Sequence, residues 1–432
     1  MPASASPGPV PASQEWRQHW LLVLAAMIGM TVGTLPTATL GMFMQPLNAE
    51  FGWSRTQVSL GLTIFALIAM PLSPVAGMLV DRLGPRRVAL PGLLLSGACF
   101  AAFGLMSGPF YQWVLIWVAY TVTSTLSRTL VWSSSISAAF SSGRGLALAV
   151  LLCGTAISTT LGPPVTRLLI DEWGWRGGYI GLGIGWAGTA LTLAVLFFHD
   201  VRGPNARISD ATTQAAAAQL PGGLTVREAL RSSILQRIGL AMFLQALMGA
   251  SIMVHIVPML TADGLTLAEA TTVAAMVGVG SIAGKLITGW LMDRMAGSLL
   301  PMIGFGGPGV AYALLMQAGG SVGIFTFAVF VLGYCSGASL QLATYLTTRY
   351  AGLRNFGTIF GILSSLMAAA AGIGPLVAGG IFDLTGGYQL LLIAGIPAAI
   401  LAALAVFRLG PYPAFDPVAP EAAPSGKPAP AT

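Results

Sequence analysis

A short basic turn between two long apolar runs, written once in each half of the chain, restricts most how this sequence can fold. The first copy reads Gly77-Met-Leu-Val-Asp81-Arg82-Leu-Gly84-Pro85-Arg86-Arg87. A partial second copy, Gly289-Trp-Leu-Met-Asp293-Arg294, comes 212 residues later and again closes an apolar run. An acid, three arginines, a glycine and a proline packed so closely require water. The runs on either side, 60–80 and 88–106, are long enough to cross a bilayer core at about 1.5 Å of rise per residue. The turn is therefore a hairpin at a membrane surface.

The repeat extends well beyond the turn. A shift of 212 also brings Pro46 onto Pro258, Gly52 onto Gly264, Gly162-Pro163 onto Gly374-Pro375, Asp171 onto Asp383 and Gly174 onto Gly386. Chance supplies one or two such matches, not a sustained register. Twelve apolar runs can be counted, at about 20–44, 56–80, 88–107, 112–139, 146–169 and 178–198, then 238–261, 268–292, 299–318, 322–346, 356–380 and 388–408. The expected fold is an all-α membrane protein with 12 transmembrane helices in two six-helix, pseudo-symmetric halves. Its expected parts are a tail (1–19), an N-terminal bundle (20–199), a linker (200–236), a C-terminal bundle (237–409) and a Pro/Ala-rich disordered tail (410–432). Within the mostly unstructured linker, Thr225-x-x-Glu228 predicts a capping box opening a short surface helix that carries Arg227 and Arg231.

Composition agrees with the membrane reading and removes other classes. Only 8% of residues are charged and 55% are hydrophobic, where soluble domains carry roughly a quarter charged residues. The net charge of +6 does not mark a nucleic-acid surface, because the Lys and Arg residues gather on one set of loops. That asymmetry predicts a cytoplasmic (inner) membrane protein, multi-pass, with both termini cytoplasmic; no cleavage site follows the first apolar run, which is expected to be retained. Cys99, Cys153 and Cys335 lie in apolar runs without metal-ligand spacing, and His19, His199 and His255 are dispersed. No cofactor, no metal and no enzymatic activity are expected.

The informative residues are the cations inside the membrane. Arg128 falls near the middle of the fourth run, and Lys285 about eight residues, roughly 12 Å, from the end of the eighth. An ionised group at such depth costs at least ~2.5 kcal/mol, so each needs a partner or a wet cavity. All fourteen Asp and Glu residues map to loops, tails or helix ends. Either the cations satisfy themselves on backbone carbonyls or at the interface, or a small organic anion bridges the two halves between them. Tyr120, Ser124, Trp132, Gln245, Tyr334 and Gln341 are candidate pathway residues, each equally at home in helix packing. His255 is the one span-interior histidine and a candidate proton-linked group, with a structural role as the alternative.

From about Trp16 to Arg408 the chain resembles the major facilitator superfamily, whose G-x-x-x-D-R-x-G-x-R-R motif is matched in full by Gly77, Asp81, Arg82, Gly84, Arg86 and Arg87. Phe51-Gly-Trp-Ser-Arg55, Arg144-Gly-Leu-Ala147 and Trp173-Gly-Trp-Arg176 resemble the monocarboxylate porter and oxalate:formate antiporter branch. The resemblance implies rocker-switch alternating access for mono- or dicarboxylates, by a monomer, with protons or a counter-anion as coupled partners. It also implies a latch in which Asp81, Arg82 and Arg144 meet near Arg354 and Asn355, with Asp293 and Arg294 as its counterpart. Ser281 stands where that branch carries an acid, and no lysine occurs between Trp20 and Met44, which weighs against carboxylate-based proton coupling. Proton-coupled drug or metabolite efflux and a substrate sensor on the same fold are the other readings.

Overall fold

The computed structural model describes residues 12–140, 143–200, 223–292, 294, 299–352 and 354–413. Residues 414–432 of the expected tail and 201–222 of the expected linker lie outside them. The N-terminal half contains α1 (Ala12–Phe51), α2 (Arg55–Leu83), α3 (Pro85–Ala102), α4 (Phe110–Thr125), α5 (Thr129–Ala139), α6 (Arg144–Ile180) and α7 (Ala187–Phe197). After the short α8 (Val226–Arg231), the C-terminal half contains α9 (Ser233–Ala262), α10 (Leu267–Met292), α11 (Leu299–Gln317), α12 (Val322–Ala351), α13 (Phe356–Thr385) and α14 (Gln389–Val406). Among the described residues no strand occurs, only an isolated bridge between Gly223 and Gly352.

Among the described residues, ten helical stretches are individually long and apolar enough to span a bilayer. Two local events reconcile that number with twelve crossings. The fourth crossing is broken at Leu126–Arg128 into α4 and α5, of 16 and 11 residues, each too short alone. The fifth and sixth crossings are two helices that meet without an intervening loop at a kink, where Gly174 takes φ 66° and ψ 178°, a non-helical conformation open to glycine. A π-helical stretch, Gly181–Trp186, follows before α7.

Helix starts follow local chemistry. Ser54 caps α2 in a full capping box with Gln57. The basic turn is one residue long: Gly84 sits at φ 85°, and Pro85 opens α3 where its missing N–H is harmless. The Arg86 amide donates to Asp200 Oδ1 at 2.9 Å and its guanidinium to the Val195 carbonyl at 2.8 Å, docking the turn on the end of α7. The capping box expected at the linker is present: Thr225 N donates to Glu228 Oε2 at 2.8 Å and Glu228 N to Thr225 Oγ1 at 3.3 Å. These bonds and the nearby Arg354 charge hold the Glu228 carboxyl below its usual pKa. The Leu224 amide also donates to the Ala351 carbonyl at 2.8 Å, tying the linker's end to the C-terminal half. Thr225→Ala is expected to weaken α8 by ~1 kcal/mol, seen as about fivefold faster amide hydrogen exchange over residues 226–231.

Each half has its own core. In the N-terminal half Phe103, Trp113, Trp117, Tyr120 and Tyr179 form one aromatic cluster, and Trp132, Phe140 and Phe198 belong to a second core nearer the other end. In the C-terminal half Tyr312, Phe325 and Tyr388 belong to one core, and Phe305, Leu342 and Tyr350 to another. Among the described residues the halves meet mainly along three helix pairs: α2 with α13, α6 with α10, and α1 with α9.

Candidate functional site

A cavity of about 410 Å³ lies where the halves meet. Thr34 and Thr37 of α1 and Thr155 and Thr159 of α6 line it from the N-terminal side; Gln245 of α9, Ser281 and Lys285 of α10, and Tyr312 of α11 line it from the other. Small residues set the position of Lys285. On α10, Gly280 and Gly284 lie against the Phe330 and Tyr334 carbonyls, and on α12 Gly333 and Gly337 lie against those of Val277 and Ser281. None of the four has room for a Cβ, so the two backbones are in direct contact. Gly278 packs as closely on Ala156 and Thr160 of α6.

Two turns further along α10, Lys285 reaches back across the interface. Its Nζ donates to the Leu152 carbonyl at 3.3 Å and to Thr155 Oγ1 at 3.2 Å. Both bonds are long for an ammonium donor, and a lysine has three protons to place. Among the described residues no carboxylate pairs with it: the two ion pairs present are Arg167–Asp171 and Arg176–Glu50.

Arg128 sits at the break in the fourth crossing. Ser124, Thr125 and Ser127 turn their hydroxyls back onto carbonyls of the preceding turn, at 3.2, 2.7 and 3.2 Å, and so offer the backbone an alternative to helix. The indole of Trp132 donates to the Ser127 carbonyl at 2.7 Å and closes the gap. Arg128 caps α5 in an extended conformation, and its guanidinium lies over the Phe65 ring, 4.9 Å from the centroid. It does not line the Lys285 cavity, so the two cations are not brought onto one wall in this conformation.

The other expected pathway residues divide. Gln245 lines the cavity. Tyr120 and Ser124 are buried, the tyrosine donating to the Val32 carbonyl at 3.1 Å. Trp132 is fully buried, packed on Gly29 and edge-on to Phe198 at 4.8 Å, within a core rather than on a cavity wall. Tyr334 accepts from Thr288 at 3.2 Å, and Gln341 Oε1 is buried with no partner among the described residues.

A second polar contact between the halves has little signature in the sequence. Asp383, at the end of α13, accepts from the amides of Arg55 at 3.1 Å and Thr56 at 2.9 Å and from the Thr56 hydroxyl, capping the N-terminus of α2 with a carboxylate. The Arg55 guanidinium covers the Phe382 ring at 3.4 Å and donates to the Tyr388 hydroxyl. His255 is fully buried beside them, bonded to Tyr388 at 2.9 Å and to Ser59 and the Pro375 carbonyl at 3.1 Å each. One turn deeper, Thr63 donates to the Gly372 carbonyl at 2.7 Å. The halves are thus clasped at the end that carries the α1–α2 turn. The signal in the sequence was the match of Asp171 to Asp383.

Two of the sequence motifs also converge. Glu50 pairs with Arg176 at 2.6 Å and accepts from the Trp175 indole at 2.6 Å, while Trp53 packs on Phe110 and Trp113. This brace lies within the N-terminal half and joins α1 to the Gly174 kink. Of the expected latch, the side chains of Asp81 and Arg144 and the whole of Asp293 lie outside the described residues. Arg82 and Arg354 are exposed. Arg294 stacks on Trp290 at 4.2 Å and donates to its carbonyl, and the Asn355 amide donates to Leu224.

Comparison with known proteins adds a family. The family model described as Major Facilitator Superfamily matches residues 20–329 and 238–431. Monocarboxylate transporter 13 of Rattus norvegicus is 25% identical over 385 residues, covering 85% of this chain and 83% of that protein. The chloramphenicol resistance protein of Streptomyces lividans is 29% identical over 365 residues, covering 82% and 81%. Among solved structures, a D-xylose–proton symporter matches with a TM-score of 0.70 at 16% identity, covering 91% of this chain and 98% of that one. A bacterial homologue of the human lysosomal transporter Spinster, inward-facing and unoccupied, matches with a TM-score of 0.66 at 16% identity, covering 92% and 96%.

Proposed function

The chain belongs to the Major Facilitator Superfamily of membrane transporters, and we propose that this member carries small organic anions, mono- or dicarboxylates, by alternating access. The observation that carries the reading is Lys285: a cation on the wall of the central cavity, held from the C-terminal half, bonded only weakly to the N-terminal half, and without a carboxylate partner among the described residues. A carboxylate arriving in the cavity supplies the missing counter-charge and can touch both halves at once. Arg128, at a break already freed from helical hydrogen bonding, is the second cation along the path and engages the anion when the halves move. The similarity to monocarboxylate transporters supports the same class.

In this reading the Asp383–α2 clasp closes one mouth while the cavity opens toward the other, and the Asp81, Arg82, Arg144 and Arg354 cluster with its Asp293 and Arg294 counterpart closes the opposite mouth in the alternate state. His255 is assigned to the clasp rather than to the cavity, because its three bonds all lie there. The excess of Lys and Arg on one set of loops supports a cytoplasmic Gly84 turn and cytoplasmic termini in this reading, with one chain as the working unit.

The test is uptake of labelled carboxylates into proteoliposomes, with pH gradients and preloaded acids varied in turn. Saturable uptake, competed by other acids and not by their neutral amides, is expected. Arg128→Ala should raise the KM several-fold. Absence of any saturable anion uptake from well-folded protein would overturn the proposal. The similarity to a chloramphenicol resistance protein favours efflux as a second reading; drug extrusion indifferent to Lys285 substitution would establish it.

A further inference from the structure

We infer that the cargo is a monocarboxylate with a sizeable apolar body, rather than a short or doubly charged acid. This rests on the organic-anion reading above and narrows it.

Three observations converge on that class. Among the described residues that line the cavity, Lys285 is the one cation. In this conformation a second carboxylate on that wall would find no second cation to pair with, which disfavours a doubly charged acid there. The hydroxyl groups near that cation, Thr155, Thr159 and Ser281, belong to the two helices that cross there. They suit one headgroup at one end of the space.

Most of the remaining wall is apolar, with Thr34, Thr37, Gln245, Ser336 and Ser339 as its uncharged polar members. Met242, Met253, Ile256, Phe305, Tyr312 and Leu332 face the same cavity. Two thioethers among them adapt to bodies of different shape, which suits an aliphatic or arylalkyl group. The volume decides the size. A cavity of about 410 Å³ falls in the range of clefts that hold sizeable small molecules. A two- or three-carbon acid would leave most of that space as water against methyl groups and rings. A body that reaches from Lys285 to those residues displaces it.

The experiment is competition by straight-chain monocarboxylates, from two to twelve carbons, against a labelled acid in proteoliposomes, with protein-free vesicles subtracted. Apparent affinity should rise roughly fourfold per added methylene and then fall once the cavity is full. Dicarboxylates of matched length should compete at least a hundredfold more weakly. Gly249→Leu provides a structural check. A Cβ at Gly249 meets nothing within 4 Å, so a side chain there grows into the cavity without disturbing the fold, and the optimum should move to shorter acids. A flat dependence on length, or preference for short or doubly charged acids, with uptake still dependent on Lys285, overturns this inference and leaves the anion reading standing. Equal competition by the matched neutral amides, or no anion uptake at all, overturns both.

Discussion

Uptake by a Lys285→Met protein should fall by at least a hundredfold, while the purified protein should melt a degree or two higher than wild type. The two effects have one origin. Lys285 is half-buried at the interface of the halves, and its ammonium has only two long hydrogen bonds to neutral oxygens. Inserting a cation at such depth costs at least ~2.5 kcal/mol, and two ordinary hydrogen bonds return about 1 kcal/mol each. The unliganded site is therefore slightly unfavourable, and methionine, similar in length and uncharged, relieves it. A carboxylate reverses the balance. Removing one partner of a desolvated ion pair costs roughly 3–5 kcal/mol, which corresponds to two or more orders of magnitude in affinity. A transported acid should accordingly raise the melting temperature of wild type and not of the variant. Unchanged uptake, or a variant that unfolds several degrees early, would make Lys285 a structural cation satisfied by α6.

How much of this could be read before the coordinates follows from the range of the interactions. The twelve crossings, the duplication and the Thr225–Glu228 capping box depend on composition and short spacing, and all are in the fold. Lys285 could be singled out because a charge inside an apolar run has few innocent explanations. The break at Arg128 was harder. No proline or glycine lies in Thr121–Thr129, and the only mark is a run of hydroxyl residues whose bonds to the preceding turn compete weakly with helix. The kink that joins the fifth and sixth crossings turns on the conformation of a single residue, Gly174, which a hydropathy pattern does not report. Trp132, a residue able to stack on a ligand, proved to fill a core because Gly29 leaves it room, a contact 103 positions away in sequence. The clasp was least legible. Asp383 is 327 residues from Thr56, and by sequence it was simply an acid at a helix end.

That clasp breaks the symmetry of the duplication, and its asymmetry can be tested. Asp383 caps α2 across the interface, whereas its repeat counterpart Asp171 pairs with Arg167 of its own helix at 3.1 Å. The corresponding helix start, at α10, has no need of a distant carboxylate, because Thr266 and Glu269 cap it locally at 3.0 and 3.3 Å. Asp383→Asn keeps the shape and one acceptor but removes the charge that faces the α2 dipole. The bonds are solvent-exposed, so the loss is ~1.5 kcal/mol rather than the value for a buried pair. That shifts the population toward the state open at this end about tenfold. Ser59, fully buried beneath the clasp, reports it as a cysteine once Cys99, Cys153 and Cys335 are replaced. Labelling of Ser59→Cys by a membrane-impermeant maleimide should quicken about tenfold with Asp383→Asn, and by less than twofold with Asp171→Asn. Equal acceleration by both would mean that the two halves gate alike and that the clasp is one of a pair. Acceleration by the first alone assigns control of this mouth to a single carboxylate, with Arg55, Tyr388 and His255 holding the surfaces it joins.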